Sequence, residues 1–237
     1  MARTLTTIGF DADDTLWHNE RFFRITQQRF AELLADHTPL DLDPERLSDR
    51  LLAAEKRNLG RYGYGVKGFT LSMIETAIEV TDARVPATVI HELIEAGQMM
   101  LACPIELLPH AREAVTALAG DYRVVLVTKG DLLDQERKLA QSGLGDLFDA
   151  VEIVSEKTPE MYQEIFADQA GGVARTMMVG NSVSSDVTPM IAAGGWGTYV
   201  PHKLTWEYEN EAPPEDEPHF HQIHDLSELA GLLAKLG

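Results

Sequence analysis

The spacing of apolar and polar positions changes character twice along the 237-residue chain. Residues 4–10 (TLTTIGF) are β-branched and apolar, and read as a short buried strand. From about residue 19 to residue 103 the period is helical. ERFFRITQQRFAELLADH places Phe22, Ile25, Phe30, Leu33 and Leu34 on one face. PERLSDRLLAAEKRNLG, GFTLSMIETAIEVTD and PATVIHELIEAGQMML follow with similar spacing, and Pro44 and Pro86 sit where a helix can begin. After Pro104 the texture alternates. Helices are predicted over 110–119, 132–143, 159–169, 185–194 and 225–236, and strands over 122–128, 150–155, 176–180 and 197–201. Such alternation implies a parallel sheet with helices on both faces. The predicted architecture is an α/β, Rossmann-like core formed by residues 1–16 and 105–237, interrupted by an all-helical insertion over 17–104.

Composition narrows the class. A hydrophobic fraction of 44% supports a sizeable core, and nothing suggests disorder or a disulfide scaffold. A net charge of −18 argues against a nucleic-acid or anionic-membrane surface. The single cysteine, Cys103, has no intramolecular partner and fits a reducing compartment. The chain opens without a basic region followed by an apolar run, and no stretch approaches the roughly 20 apolar residues that span a bilayer. The expectation is a soluble, cytoplasmic protein. Residues 207–218 (EYENEAPPEDEP) read as a solvated acidic loop.

Ligands of an open parallel sheet bind beyond the carboxyl ends of its strands. The first predicted strand runs into Asp11, Asp13 and Asp14, three carboxylates in four positions that repel one another unless a cation intervenes. The next ends at Thr128, followed by Lys129 and Gly130; the third leads through Ser155 to Lys157; the fourth ends in Gly180, Asn181 and Ser182, with Asp186 beyond. Singly, these are a surface lysine, a helix N-cap and a turn. Together they deliver polar groups to one edge of one sheet. A calcium loop does not explain the acidic cluster: its sixth and twelfth positions, which require Gly and Glu, hold Leu16 and Phe22.

The pattern resembles the haloacid dehalogenase-like (HAD) hydrolase superfamily. Its D-x-D-x-T motif stands here as Asp11-Ala12-Asp13-Asp14-Thr15, and its strand-ending Thr or Ser as Thr128. Its lysine stands as Lys157, in Lys157-Thr158-Pro159, and its acidic loop as Gly180-Asn181-Ser182-Val183-Ser184-Ser185-Asp186. The helical insertion looks like the family's cap domain. The resemblance implies a Mg²⁺-dependent phosphatase that acts on a small phosphorylated metabolite as a monomer or homodimer. Asp11 would be the nucleophile and Asp13 the acid/base. Thr128, Lys129 and Lys157 would hold phosphate, and Asp11, Asp13, Asn181 and Asp186 would surround the metal. Phosphate-ester hydrolysis needs on the order of 20 kcal/mol of help, which a carboxylate nucleophile divides between two easier displacements.

Two positions depart from the family pattern. Asn181 replaces the first acid of the fourth motif, which predicts weaker metal affinity than three carboxylates give. Lys129 stands where the family has Asn or a small residue, and it either contacts substrate or points to solvent. Asp14 is expected to orient the following turn. A carbon–halogen dehalogenase needs no acid at Asp13, and a receiver-type signalling module carries its phosphorylated aspartate on a different strand. A phosphotransferase or mutase would share every core residue. In the insertion, the stretch from Arg57 to Phe69 mixes glycine, aromatic and basic residues in an otherwise acidic chain. It reads either as a specificity loop, with Arg61, Tyr64 and Lys67 facing substrate, or as a connector whose cations pair with acidic helices. His219, His221 and His224 are assigned to an exposed edge strand rather than a metal.

Overall fold

Four residues, Thr7–Phe10, form strand β1, each of them buried. β2 (Arg123–Lys129) and β4 (Thr176–Gly180) flank it in parallel register, so Phe10 lies beside Leu126 and Val179. β3 (Ala150–Val154), β5 (Trp196–Tyr199) and β6 (Phe220–Gln222) complete a six-stranded sheet in the order β3-β2-β1-β4-β5-β6, parallel throughout. The computed structural model describes residues 4–38, 43–204, 206 and 211–237; residues 207–210 of the expected acidic loop lie outside them. Among the described residues no helix is long and apolar enough to cross a membrane.

Successive strand residues point to opposite faces, and both faces are covered. Ile8, Phe10, Val124, Leu126, Met177 and Val179 pack with helices α5 (Ala111–Leu118) and α9 (Leu229–Leu236). Val125, Val127 and Met178 pack with α7 (Pro159–Phe166) and α8 (Thr188–Ala192). α6 (Leu132–Ser142) follows β2. This is the predicted doubly covered α/β arrangement, and buried strands of this kind read as unbroken apolar runs.

The contacts divide the chain into two units: Met1–Glu20, Ile105–Lys129 and Gln135–Gly237 form one, Arg21–Pro104 with Gly130–Asp134 the other. The second unit is built on α1 (Glu20–Leu34), α2 (Pro44–Tyr62), α3 (Val66–Val80) and α4 (Ala87–Ala102), around Phe30, Leu34, Leu51, Phe69, Met73 and Leu93. Pro44 opens α2 behind the N-cap Asp43, whose carboxylate accepts from Arg46 N at 2.8 Å. Two expectations change here. Ile25 is 63% exposed, because the buried stripe of α1 runs through Thr26, Phe30 and Leu34, a spacing of four that leaves Ile25 outside. The stretch from Arg57 to Phe69 is mostly helix: residues 63–65 alone separate α2 from α3, with Gly63 and Gly65 at φ +71° and +101°.

The helix expected over 185–194 is also divided. A π-helical turn, Val183–Val187, precedes α8, and Pro189 sits in the first turn of α8. Proline has no N–H to return to the carbonyl four residues back. That carbonyl, of Ser185, accepts instead from Tyr162 Oη at 3.0 Å.

Candidate active site

The four strand-end segments meet around Asp11. Asp11 leaves β1 with its own N–H on the Val179 carbonyl, which fixes it against β4. Lys157 Nζ lies 2.6 Å from Asp11 Oδ1 and 2.7 Å from Asp186 Oδ1, with 1% of its side chain exposed. Thr158 caps α7 immediately afterwards, accepting from Met161 N at 3.2 Å, and Pro159 follows. That sharp helix start directs Lys157 back under the sheet edge. The other oxygen of Asp186 accepts from Ser182 N at 3.0 Å.

Two carboxylates share one buried ammonium, so the trio carries net negative charge away from water. Burial raises the Asp11 carboxyl to about 7; Lys157 opposes that shift and Asp186 adds to it. Burial pulls the Lys157 ammonium down, but the Asp11 and Asp186 carboxylates outweigh it and hold it well above its ordinary range.

On the other side of Asp11, Thr15 Oγ1 donates to Oδ2 at 2.9 Å and accepts from Asn181 N at 3.0 Å. The end of the Asn181 amide that faces this pair lies 3.1 Å from the Asp13 backbone oxygen, 3.1 Å from Thr15 Oγ1 and 3.2 Å from Asp11 Oδ2. As an NH₂ group it donates to all three. As a carbonyl it completes a cluster of oxygens, with Asp11 Oδ2 and the Asp13 carbonyl, that only a cation can hold together. Those separations match the roughly 3 Å octahedral edge set by Mg²⁺–oxygen bonds of about 2.0–2.1 Å. The donor set fits Mg²⁺. Asp186, whose oxygens go to Lys157 and Ser182, stands behind Lys157 instead.

Asp13 has partners that sequence reading misses. Trp17 Nε1 donates to Oδ1 at 2.7 Å, and Lys138 Nζ lies 3.0 and 2.9 Å from Oδ1 and Oδ2. Gln135 Nε2 reaches Oδ2 at 3.3 Å and also donates to Thr128 Oγ1. One cation that relieves the repulsion among the clustered carboxylates is therefore the Lys138 ammonium. Gln135 and Lys138 are three apart on α6, so they share one face, but which face turns inward is decided by packing.

Thr128 is buried at the end of β2. Lys129 does not point to solvent: its Nζ donates to Ser185 Oγ at 2.8 Å and lies 3.7 Å from Glu156. Asp14, at φ +59°, accepts from Asn19 N at 2.9 Å and Glu20 N at 2.8 Å, which orients the turn into α1. Burial raises its carboxyl to about 6, against the pull of those N–H groups and of His202. Asp14, His18 and His202 bring ligand atoms within 4.8 Å of one another, with both Asp14 oxygens already taken by backbone N–H. His221 lies in the edge strand β6 and His219 just before it, and they stack on Trp196 at 5.7 and 4.2 Å between ring centres.

Arg61, Tyr64 and Lys67 belong to the helical unit. There Lys67 Nζ lies 2.9 Å from both oxygens of Asp131, and Arg57 pairs with Glu75 at 3.5 Å and Glu79 at 3.8 Å. Arg61 is exposed.

Fold and site together define the class. The chain belongs to the haloacid dehalogenase-like hydrolases, whose family model matches residues 5–194. A haloacid dehalogenase-like family hydrolase from Xanthomonas campestris superposes with a TM-score of 0.86 at 43% identity, covering 99% of this chain and 92% of its own. Pyrimidine 5'-nucleotidase YjjG of Escherichia coli (strain K12) is 24% identical over 225 residues, 92% of this chain and 96% of that protein. YfnB of Bacillus subtilis, solved bound to magnesium, shares the fold at a TM-score of 0.67 and 18% identity, covering 98% and 99% of the two chains.

Proposed function

We propose that this hydrolase is a Mg²⁺-dependent phosphatase that cleaves a small phosphorylated metabolite through an aspartyl-phosphate on Asp11. One observation carries the reading: a buried carboxylate has an ammonium 2.6 Å from one oxygen, and the Asn181 amide lies 3.2 Å from its other oxygen and 3.1 Å from the Asp13 carbonyl. That arrangement suits a nucleophile that must accept an anionic phosphoryl group.

Asp11 attacks phosphorus and the ester oxygen departs with a proton from Asp13. Water then attacks the aspartyl-phosphate, its proton passes to Asp13, and the bond to Asp11 breaks. Lys157 balances the charge on Asp11 and on a phosphoryl oxygen, with Asp186 fixing its direction. The Thr128 hydroxyl, which accepts from Gln135, is left to donate toward phosphate. Asp11, the Asp13 carbonyl and Asn181 would hold Mg²⁺, which would supply the positive charge that lets two anions meet. With one carboxylate and two neutral ligands in this set, it would be bound more weakly than by three carboxylates.

A carboxylate two residues beyond the nucleophile favours phosphoryl over carbon–halogen chemistry, which needs no leaving-group acid there. The nucleotidase relative supports a phosphate ester as substrate, and Arg61, Tyr64 and Lys67 are our candidate specificity residues. We place the enzyme in the cytoplasm, acting as a monomer or homodimer. Incubation with para-nitrophenyl phosphate and Mg²⁺ is expected to give continuing release of nitrophenol. Asp11→Asn is expected to abolish it while the circular dichroism spectrum is unchanged; retained turnover refutes the assignment.

A further inference from the structure

Asp13 is gripped from its own unit on both oxygens. Trp17 and Lys138 hold Oδ1, Lys138 and Gln135 hold Oδ2, and Lys138 Nζ also donates to Asn19 Oδ1 at 2.9 Å. The ammonium therefore ties both ends of the turn from Asp13 to Asn19. Only 9% of the Lys138 side chain is exposed, although lysine is rarely buried unless paired. An exposed ion pair of this length contributes little. A buried, two-pronged one fixes the plane of the carboxylate, and the longest of its four contacts, Gln135 at 3.3 Å, is the one a water can displace.

We propose that Lys138 is a positioning residue: its grip orients Asp13 to take the proton of the water that attacks the aspartyl-phosphate. The inference rests on the phosphatase reading above. In that half-reaction the water oxygen bonds to phosphorus and its proton passes to Asp13. The phosphorus–oxygen bond to Asp11 breaks, its electron pair returning to the Asp11 carboxylate, and inorganic phosphate leaves. An oriented acceptor is needed at that moment, and a carboxylate free to turn about its Cβ–Cγ bond presents the right lone pair only part of the time. The first half-reaction makes a smaller demand when the leaving group is nitrophenolate, which departs without a proton. Loss of Lys138 therefore separates the two halves.

The test is rapid-mixing kinetics of Lys138→Met with para-nitrophenyl phosphate and Mg²⁺, beside the wild type and Asp13→Asn. The variant is expected to release about one nitrophenol per active site at close to the wild-type rate. It then turns over roughly 10–100-fold more slowly, below the 10²–10⁴-fold that a lost acid–base group costs. Asp13→Asn is expected to show the same burst, and Lys138→Arg, which keeps the charge and can donate to both Asp13 oxygens, to recover most of the steady rate. Lys138→Gln serves if the methionine variant does not fold. A fall in both phases together, unchanged turnover, or an arginine variant no better than methionine overturns the positioning role. A wild type that releases no nitrophenol overturns the phosphatase reading with it.

Discussion

Burial strips water from the Asp11 carboxylate, and the shared Lys157 ammonium compensates for only part of that loss. Asp11 titrates near 7 in the folded chain and at an ordinary 3.8 when exposed. The folded state therefore binds this proton more tightly, so the contribution to stability is fully present below about pH 4 and disappears as the pH rises through about 7. In chelator, thermal unfolding of the wild type is expected to move to lower temperature between pH 5 and pH 8. Asp11→Asn, which removes the buried charge, is expected to flatten that dependence and to melt higher than wild type at pH 8; scanning calorimetry across this range checks both. Such a variant, more stable and inactive, is what a strained functional site predicts. Asp11 and Lys157 are legible in the sequence because each lies just past an apolar strand. Lys138 is not, because a lysine on an amphipathic helix looks like any surface lysine until the helix is packed.

Among the elements, β4 and the π-helical turn after it decide the site's geometry. The strand ends at Gly180, and a Cβ built there would collide with the Asp186 carboxylate. The glycine is needed for space: it lets Asp186 come back against the strand end and hold Lys157. Gly180→Ala is expected to push Asp186 off Lys157 and to lower turnover on the order of 10²-fold, the cost of misplacing a reacting group by about 1 Å. Steady-state kinetics of the folded variant measure this. The helix expected over 185–194 breaks into two pieces for a related reason. Pro189 withholds one N–H, and the Tyr162 hydroxyl of a neighbouring helix takes the freed carbonyl. The proline is visible in the sequence; its compensating partner, 27 residues earlier in the chain by difference of 189 and 162, is not.

At the scale of the whole molecule, Mg²⁺ bound at the Asn181 cluster, as proposed, would make stability depend on the metal. Mg²⁺ at about 100 times its dissociation constant is expected to add roughly 2.7 kcal/mol. In a chain of this length that is a rise in melting temperature of about 5–10 °C, at roughly 2–4 °C per kcal/mol. The rise is expected to vanish on chelation and to shrink in Asn181→Ala, as thermal melts with and without Mg²⁺ will report. The sequence by itself determines the alternation of buried strands and helices, the helical insertion and the acidic, threonine, lysine and asparagine groups at the strand ends. It can do so because burial on both faces leaves unbroken apolar runs, and the chain must turn polar where each run stops. The tertiary structure alone decides that Asp186 stands behind Lys157, that Asn181 faces Asp11 and the Asp13 carbonyl, and that Lys138 holds Asp13. Those are distances between segments far apart in the chain, set by strand order and by the face each helix turns inward, and no local spacing encodes them.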